Sequence, residues 1–452
     1  MWPLKSLLYF FLFWAACAMA LFNPIWGVMN YMFAYQTDPT KTWWGVPLVD
    51  LGMRFSLLAA GSTALGLVFG RKHVPAVRPA FSLWEWGIVV LFAIAVVNIG
   101  LGVGYGPVAR LEFGKFWKVL LFTLILVRMA STRKNLHMVM WVLVIGCLYL
   151  GYDAYTAAPS AFLLGRLETI GGPDFSTTSG AAAHFSAMLP IIGAAFLIAK
   201  NWKWRVLALI SGALMVNAVI MCRTRSAFIG LGVGILTAFL VAPRARRFRI
   251  HVLLISGCAM AFALTDDHFW ERMGTLSDQA LLETDLATVS RREIWWASLR
   301  IIADYPLGVG VGNFTKVIGD YDPRHHKRAS HNSLVVCFTE LGIQGGLVFS
   351  LMAMGSVWLL HRSSKLAERC DEPLETQFMF YGLLISLVTY LVTALGTQRF
   401  YCESFWWILG LPLSLYRAVL SEVDARAIVE APAVRSVVAE GPGPIGELQH
   451  GL

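Results

Sequence analysis

Apolar stretches of about 20 residues alternate along the chain with short segments rich in Lys and Arg. A helix of about 20 apolar residues is long enough to cross the hydrocarbon core of a bilayer. The basic segments between these stretches are 71–78, 128–134, 200–205, 244–249 and 362–369. Because Lys and Arg accumulate in the cytoplasmic loops of membrane proteins, these segments predict the cytoplasmic side.

The same pattern predicts an all-α, polytopic membrane bundle of about 12 transmembrane helices, with both termini cytoplasmic. Since neighbouring basic segments must lie on the same side, an even number of crossings separates them. The expected spans are roughly 4–35 (bent at Pro24 and counted once), 48–69, 84–103, 113–129, 136–151, 177–199, 204–221, 227–242, 250–265, 331–360, 376–396 and 404–420.

Two regions lie outside these spans. Segment 266–330 separates the ninth and tenth spans and is predicted to form a large helical loop on the outer, periplasmic side. Residues 1–420 then form one transmembrane domain. The tail 421–452 is rich in Ala, Val, Glu, Pro and Gly and is predicted to be cytoplasmic and disordered.

Composition agrees with a membrane protein. The chain has 452 residues, of which 57% are hydrophobic and 14% charged, a balance that a soluble domain could not bury. The net charge of +9 comes largely from the cytoplasmic segments, so it indicates topology and lipid headgroups rather than nucleic acid. None of the seven cysteines forms a Cys-x-x-Cys pair, which argues against a metal or redox site.

Arginines on the outer side oppose the charge rule and therefore need a reason. Arg223 and Arg225 lie in the outer turn 222–226, and Arg399 lies in another outer turn. Charges at a membrane boundary are functional candidates by default, and guanidinium groups suit bidentate phosphate recognition. The alternative is that these side chains extend to lipid headgroups.

The outer loop 266–330 contains a second basic cluster. Ser290-x-x-Glu293 is a capping-box pattern, so we expect a helix to begin there and to end near Asp304, before Pro306. Arg291 would then occupy the first turn, where anions bind. Arg292 is a candidate for the same role or for headgroup contact. The apolar residues that follow make this helix amphipathic enough to lie on the membrane surface.

The end of the loop leads into the next apolar span. The glycine-rich stretch 306–313 is expected to be a loop rather than a dinucleotide fingerprint, because no strand precedes it. Histidines and aspartates in 320–331 could suggest a metal, but four cations in this stretch argue against one, so no metal and no cofactor are expected. A helix N-terminus would keep His331 neutral, which suits a general base; a capping or headgroup role is the alternative.

These motifs together resemble the O-antigen ligase and polymerase superfamily. His331-Asn332 with Glu340-Leu-Gly342 and Gly345 is similar to its His-Asn…Glu-Leu-Gly-x-x-Gly signature. Thr224-Arg225-Ser226 looks like its Ser-Arg-Gly element, with Ser226 where Gly is common. Arg291-x-x-x-Trp295 and Pro306-Leu-Gly-Val-Gly310 are similar to its Arg-x-x-x-Trp…His-Pro-x-x-Gly-x-Gly stretch. Three other elements resemble a subgroup, the exosortase-associated O-glycosylation ligases; they are Asn23-Pro24, Asp38-Pro39 and Trp270-Glu-Arg-Met273.

The resemblance implies a membrane glycosyltransferase in the bacterial inner membrane, with its active site facing the periplasm. It would move a glycan from undecaprenyl diphosphate to a lipid, glycan or protein hydroxyl, with inversion and without a metal. In this interpretation His331 is the catalytic base, and Arg225 and Arg291 form the primary diphosphate clamp. Secondary candidates for the clamp are Arg223, Arg292, Arg328 and Arg399, and Asn332 and Glu340 are expected to be structural.

Two alternatives remain at this stage. A polysaccharide repeat-unit polymerase of the same superfamily differs only in its acceptor, which no sequence feature identifies. A lipid-linked glycan flippase would also carry outward-facing arginines, but a transporter is expected to place charges at mid-span and in broken helices. The donor sugar, the acceptor, partner proteins and the oligomeric state are not encoded in any motif we can interpret.

Overall fold

A computed structural model describes residues 2–274, 286–370 and 372–439. Its helices are α1 (Leu4–Phe22), α2 (Ile25–Thr37), α3 (Val46–Asp50), α4 (Phe55–Phe69), α5 (Leu83–Leu101), α6 (Pro107–Met129), α7 (Arg133–Tyr155), α8 (Thr178–Ile198), α9 (Trp202–Cys222), α10 (Arg225–Val241), α11 (Arg247–Ala263), α12 (Asp267–Gly274), α13 (Leu286–Asp304), α14 (Phe314–Tyr321), α15 (Ser333–Glu340), α16 (Gly342–Leu366), α17 (Pro373–Ala394) and α18 (Glu403–Ala439).

Short elements connect these helices. Strands β1 (Phe162–Leu163) and β2 (Arg166–Leu167) form one antiparallel hairpin. Its two turn residues, Leu164 and Gly165, both have positive φ, as expected for a tight hairpin turn. Single 3-10 turns are found at Pro39–Lys41, Trp43–Gly45, Arg71–His73, Pro159–Ala161, Arg244–Arg246, Pro323–His325 and Ala367–Arg369.

The residues that the structure describes form a multi-pass helical membrane bundle. Seven of its helices are long and apolar enough to cross a membrane, or up to eight if the bent pair Trp43–Asp50 and Phe55–Phe69 forms one span. The expected number of about 12 is not confirmed. Helix α6 carries several charged residues, and α10 and α11 have only 17 residues each, so charge or length separates them from the clear spans. The predicted bend at Pro24 is confirmed by the break between α1 and α2.

Small residues bring the central helices together. Helix α17 lies between α8 and α10, and α18 packs on α6, α16 and α17. Gly230 and Gly234 of α10 face Thr393 and Thr389 of α17, where added Cβ atoms would come within 2.0 and 2.2 Å of the threonine hydroxyls. Such close approach is typical of helix packing in membranes. It fixes the position of α10, whose first residue is Arg225.

The span predicted at 331–360 is broken into α15 and α16. Gly342 starts α16 with φ +74°, and the loop 306–310 crosses the break: Val309 and Gly310 donate to the carbonyls of Thr339 and Glu340 at 2.9 Å. A Cβ at Gly308 would lie 2.5 Å from the Glu340 carbonyl oxygen. The glycine-rich stretch is a loop, as predicted, and its glycines permit this close backbone contact.

The outer loop has a hydrophobic core of its own. Ile294 and Ile301 of α13 are buried against Phe314 and Ile318 of α14. Helix α13 is amphipathic, as predicted, but its isoleucine face packs on this second core rather than being left for the membrane surface. Trp296 of the same helix remains exposed. Residues 275–285 of the predicted loop lie outside the described residues.

Ion pairs hold the end of the bundle that carries the basic segments, which we call the basic end. Glu85 accepts from Arg417 at 2.6 Å and from Arg128 at 2.9 Å, and its side chain is fully buried. Arg133 binds Glu422 through two hydrogen bonds of 2.6 Å and Glu375 through one of 3.0 Å. The pair between Arg133 and Glu422 tethers the chain beyond residue 420.

The tail prediction needs a correction. Helix α18 continues to Ala439, so residues 421–439 are helical rather than disordered. The stretch contains several Ala, Glu and Arg residues, which favour helix, and Glu422 is held by Arg133. The rest of the predicted tail, 440–452, lies outside the described residues.

Candidate functional site

The site lies at the end of the bundle opposite the basic end, because α9 and α17 both start at basic segments and run towards it. One part of it is the turn between α9 and α10. Arg223 caps α9 with φ +45°, a left-handed conformation. Its guanidinium donates to the Gly165 carbonyl at 2.7 Å and forms an ion pair with Asp266. The turn is thereby tied to the β-hairpin and to the segment before α12.

Arg166 of the hairpin joins this turn. Its guanidinium donates to the Thr224 hydroxyl at 3.3 Å and to the Cys222 carbonyl at 3.4 Å. Burial lowers the pKa of Arg166, and the nearby positive charge of Arg225 acts in the same direction, whereas Glu168 opposes it. Two guanidinium groups close enough to disfavour each other's charge create a positive potential that favours an anion between them.

Arg225 is the first residue of α10. Thr224 precedes it as the N-cap but makes no side-chain capping hydrogen bond. The hydroxyl of Ser226 is buried and has no hydrogen-bond partner among the described residues. A helix N-terminus whose first N–H groups lack a side-chain cap is suited to an anionic ligand. Arg225, Ser226 and Arg166 therefore surround one positive helix end.

The second part of the site is the segment before α15. His331 has φ +51°, which is unusual for a residue that is not glycine. The backbone on both sides of it is fixed. Trp295 of α13 donates its indole N–H to the Ser330 carbonyl at 2.9 Å, and the Ser330 hydroxyl accepts from Asn332 N–H at 3.2 Å. Strained conformations that the surroundings hold in place are frequent at functional sites.

Asn332 is the N-cap of α15. Its side-chain oxygen accepts from the N–H groups of Leu334 and Val335 at 2.9 and 3.2 Å. The asparagine therefore makes the cap of this helix. This cap fixes His331 directly before a helix N-terminus, and the structural role expected for Asn332 at the site stays a prediction.

The ring of His331 is held towards its neutral form. Packing around the ring lowers the pKa of His331 below its ordinary value of 6.5, and the charges of Arg291 and Arg328 lower it further. The predicted direction is the same, but the causes named here are burial and two arginines rather than the helix dipole. A neutral imidazole can accept a proton near pH 7.

The two parts meet at the turn after α17. Gly396 lies so close to α10 that a Cβ there would be 2.5 Å from the Cβ of Ser226. In the same turn, the Thr397 carbonyl accepts from the Ser333 hydroxyl at 3.1 Å, and Arg399 N–H donates to that hydroxyl at 2.7 Å. Ser226, which follows Arg225, and Ser333, which lies two residues after His331, therefore both contact the four-residue turn 396–399.

The remaining predicted arginines have different surroundings. Arg291 lies in the second turn of α13, because the helix starts at Leu286 and not at the predicted Ser290 cap. The expected first-turn position is therefore wrong; Arg291 acts from the second turn, where its charge adds to the burial that lowers the pKa of His331. Arg292 is exposed, and Arg328 donates to the Ser290 hydroxyl at 3.2 Å. Helix α13 ends at Asp304, as predicted.

Arg399 and Glu340 are both buried beneath this surface. Arg399 donates to the Asp174 carbonyl at 2.9 Å. Glu340 accepts from the N–H groups of Gly312 and Phe314 at 2.7 and 3.0 Å and from the Tyr401 hydroxyl. All three of these donors are neutral. Its carboxylate fixes the glycine-rich loop to the bundle.

Three side chains of the outer loop could together hold a cation. Oxygen and nitrogen atoms of Glu293, Asp322 and His325 lie within 4.8 Å of one another. However, the Arg324 guanidinium binds both carboxylates at 3.0 Å, and His325 hydrogen-bonds Glu293 at 2.8 Å. We interpret the cluster as an ion-pair network, because its carboxylates already contact a positive charge. The expectation of a site without metal stays a prediction.

Two residues of the site were missed in the sequence. Arg166 lies between the predicted spans 136–151 and 177–199 on the outer side, so the charge rule that identified Arg225 applies to it equally. Trp295 was recognised only as part of a motif and an apolar face. Its hydrogen bond to Ser330 joins segments 35 residues apart, and no local pattern indicates such a contact.

A comparison with protein families agrees with the motifs. Residues 210–350 match the family model described as O-antigen ligase. The matched segment includes Arg225, Arg291 and His331, and it covers the α9–α10 turn and the outer loop. No curated protein matches the chain.

Proposed function

We propose that this chain, a member of the O-antigen ligase superfamily, transfers a glycan from undecaprenyl diphosphate to an acceptor hydroxyl at the outer face of the membrane. The observation that carries the proposal is that two segments contact the 396–399 turn. One contains Ser226, which follows Arg225 at the start of α10, and the other contains Ser333, two residues after His331. Together they supply anion binding and proton acceptance.

The diphosphate is assigned to the arginines. Arg225 with Arg291 would bind its oxygens and stabilise the charge that develops as it leaves. Charge-assisted hydrogen bonds of this kind contribute about 1.5–3 kcal/mol each. Arg166 adds a third guanidinium to this clamp. Arg223 and Arg399 support it from behind, since one is paired with Asp266 and the other is buried against Asp174.

The acceptor is activated by His331. As the acceptor oxygen attacks the anomeric carbon, its proton passes to the ring nitrogen of His331. The new carbon–oxygen bond forms while the bond to the diphosphate oxygen breaks, and polyprenyl diphosphate leaves with the bonding electron pair. Attack from the side opposite the leaving group inverts the anomeric configuration. General-base assistance of this kind contributes about 10²–10⁴-fold to the rate.

Arg328 and Arg292 belong to the rim of the same surface. Arg328 influences the charge of His331, and both side chains are exposed. We assign them to steering of the anionic donor, which acts over a longer range than direct contact. The mechanism uses no metal, and the leaving diphosphate supplies the driving force.

A polymerase of the same superfamily would use the same chemistry with a growing glycan as acceptor. A flippase would instead move the donor across the membrane. The arrangement favours transfer, because the positive groups and the imidazole gather at one end of the bundle. In a deletion strain, donor that accumulates outside supports a transferase, whereas donor trapped inside supports a flippase.

The decisive experiment is reconstitution of the purified chain in liposomes with an undecaprenyl-diphosphate glycan and a panel of acceptors. We expect free undecaprenyl diphosphate and a glycosylated product, identified by mass spectrometry. A product on lipid or protein indicates a ligase, and lengthened glycan indicates a polymerase. If no acceptor yields product while the donor crosses the bilayer, the transferase assignment is wrong.

A further inference from the structure

A buried ion pair lies beside the 396–399 turn, and the function proposed above assigns no role to it. Asp174, in the segment between β2 and α8, is 6% exposed, and its carboxylate binds the ammonium group of Lys115 on α6. Charges buried in a membrane protein are costly and are functional candidates for that reason. Neither residue belongs to a sequence motif or to the proposed diphosphate clamp, so the pair needs an explanation of its own.

The carboxylate of Asp174 joins several elements of the bundle. The oxygen that does not bind Lys115 accepts from the Tyr35 hydroxyl of α2 at 2.5 Å and from the backbone N–H of Glu403 at 3.3 Å. Burial opposes the charged form, but the charges of Lys115 and Arg399 outweigh it and lower the pKa of Asp174. One ionised carboxylate thus fixes the segment before α8 to α2, to α6 and to the start of α18.

The backbone of Asp174 in turn holds Arg399. The Asp174 carbonyl accepts from the Arg399 guanidinium at 2.9 Å. Gly180, in the first turn of α8, leaves room for this contact, because a Cβ there would lie 2.7 Å from the carbonyl oxygen and 2.8 Å from a guanidinium nitrogen. The Nε–H of Arg399 donates to the Gln398 carbonyl at 2.7 Å. The arginine side chain is therefore held between Asp174 and its own turn.

Arg399 passes this constraint to the segment that carries His331. Its backbone N–H donates to the Ser333 hydroxyl at 2.7 Å, and that hydroxyl donates to the Thr397 carbonyl at 3.1 Å. Ser333 is the first residue of α15 and lies two residues after His331. Because φ +51° is unfavourable for a residue with a Cβ, contacts on both sides of His331 must hold it. The chain of hydrogen bonds that starts at the buried ion pair ends in one of these contacts.

We propose that Asp174 is a positioning residue for the general base: through Arg399 and Ser333 it holds His331 in the orientation that receives the acceptor's proton. The inference rests on the proposed function for the role of His331. Asp174 takes no part in the proton transfer itself and acts only on the position of the ring. A network of satisfied polar contacts suits this task, because its directional hydrogen bonds rigidify one arrangement of the turn.

Steady-state kinetics in liposomes with the undecaprenyl-diphosphate glycan test this role. Asp174→Asn keeps the size of the side chain and the backbone carbonyl but removes the charge that binds Lys115. We expect kcat to fall by about 10- to 100-fold, since misplacement of a reacting group by about 1 Å can cost about 100-fold. KM for the donor should be unchanged. Arg110→Gln is the matched control, because Arg110 is an exposed cation of α6 that contacts the Tyr105 carbonyl, and it should leave both constants unchanged.

A double-mutant cycle separates positioning from a general loss of structure. In the His331→Asn background, Asp174→Asn should cause no further loss of turnover, because it acts only through the imidazole. Ser333→Ala should lower kcat as Asp174→Asn does, and the two changes together should cost no more than either alone. The proposal is overturned if Asp174→Asn lowers turnover by the same factor with and without His331, or if it leaves kcat of the folded protein unchanged.

Hydrogen exchange tests the link without any turnover. In Asp174→Asn and in Lys115→Met, the backbone amides of 331–336 should exchange about tenfold faster, whereas those of α5 should be unchanged. Arg110→Gln should match the wild type throughout. If the wild-type chain transfers no glycan but this exchange pattern holds, the transferase assignment fails and the link from Asp174 to His331 is supported. If transfer proceeds and Asp174→Asn changes neither exchange nor kcat, the positioning role fails alone.

Discussion

Arginines at the two ends of the bundle have different partners. At the basic end, Arg417 and Arg128 bind the carboxylate of Glu85, and Arg133 binds Glu375 and Glu422. At the outer end, Arg223 and Arg324 also pair with carboxylates, but the partners described for Arg166, Arg328 and Arg399 are carbonyl and hydroxyl oxygens. These oxygens accept hydrogen bonds from the guanidinium groups but carry no negative charge, so they do not neutralise the positive charge.

We propose that this difference separates structural charges from functional ones. A buried ion pair has little net charge, and it fixes helices relative to each other. A cluster of guanidinium groups held by neutral oxygens is preorganised and remains positive, so it can stabilise a charge that develops during a reaction. We therefore expect substitutions at the outer end to reduce activity with little loss of stability. Substitutions at the basic end should do the reverse.

The largest effect is expected for His331. His331→Asn removes the proton acceptor and keeps a residue that tolerates the left-handed backbone conformation. We expect turnover with purified donor to fall by about 10²–10⁴-fold, the usual contribution of a general base. Donor binding and the melting temperature should be unchanged. Initial rates and equilibrium binding of labelled donor measure the two quantities.

Two further variants test that assignment. His331→Ala should lose activity to the same extent, with an added loss of stability from backbone strain. His326→Ala changes an exposed histidine of the same segment and should keep full turnover. Near-normal turnover of His331→Asn would show that another group takes the proton, and the outer end would then serve for binding alone.

The basic end is tested by Glu85→Gln. This change leaves Arg417, whose side chain is 1% exposed, without its carboxylate. Removal of one partner from a buried pair costs about 3–5 kcal/mol, so the melting temperature should fall strongly. Turnover per folded molecule should be retained. Thermal unfolding in detergent, combined with activity of the folded fraction, separates the two effects.

An exposed ion pair provides the control for Glu85. Glu372 and Lys200 are 50% and 76% exposed, and Glu372→Gln should change stability by less than about 1 kcal/mol. The double variant Glu85→Leu with Arg417→Met should recover part of the lost stability. If Glu85→Gln melts like the wild type, the basic end is not held by this pair.

The sequence predicted the helical membrane class, because this depends on local composition. The outer arginines and His331 were selected by the sidedness of charge, and their roles stay predictions. Asp304 was correctly placed at the end of its helix, since Pro306 stops it. Three features depend on contacts between distant segments. They are the break at Gly342, the partners of Glu340 and the Trp295 hydrogen bond to Ser330.

Two differences between the sequence predictions and the structure have identifiable physical causes. The Ser290 capping pattern suggested a helix start, but the residues before it are helical too, and the Ser290 hydroxyl binds Arg328 instead. The expected number of about 12 spans is not confirmed, because some predicted spans carry charges or are shorter than the seven or eight clear ones. Helix α6 illustrates this, since it combines fully buried Phe116 with charged Lys115.

The third prediction concerns the geometry of the outer cations. Arg225→Lys retains the charge but loses the planar fork that binds two phosphate oxygens. A loss of about 1.5–3 kcal/mol of charge-assisted hydrogen bonding corresponds to roughly 10- to 100-fold in kcat/KM. Arg362→Lys, in an exposed basic segment, is the matched control and should have no effect. Equal activity of both variants would mean that Arg225 only steers the donor.

The smallest effect is a change in pH dependence caused by Arg328. Because His331 acts in its neutral form, activity is present above its pKa and is lost as the pH falls through it. The charges of Arg291 and Arg328 help to lower this pKa, so the acid limb of kcat/KM should lie below pH 6.5 in the wild type. Arg328→Gln removes one of these charges and should move the limb towards 6.5.

Arg324→Gln is the matched control for this shift. Arg324 lies four residues before Arg328, but its charge is compensated by Glu293 and Asp322. Its loss should therefore leave the acid limb in place. If the acid limb of kcat/KM is the same in the wild type, Arg328→Gln and Arg324→Gln, His331 does not titrate in the reaction. Activity at the outer end would then depend on the guanidinium groups alone. The two ends would differ only in whether carboxylates neutralise their arginines.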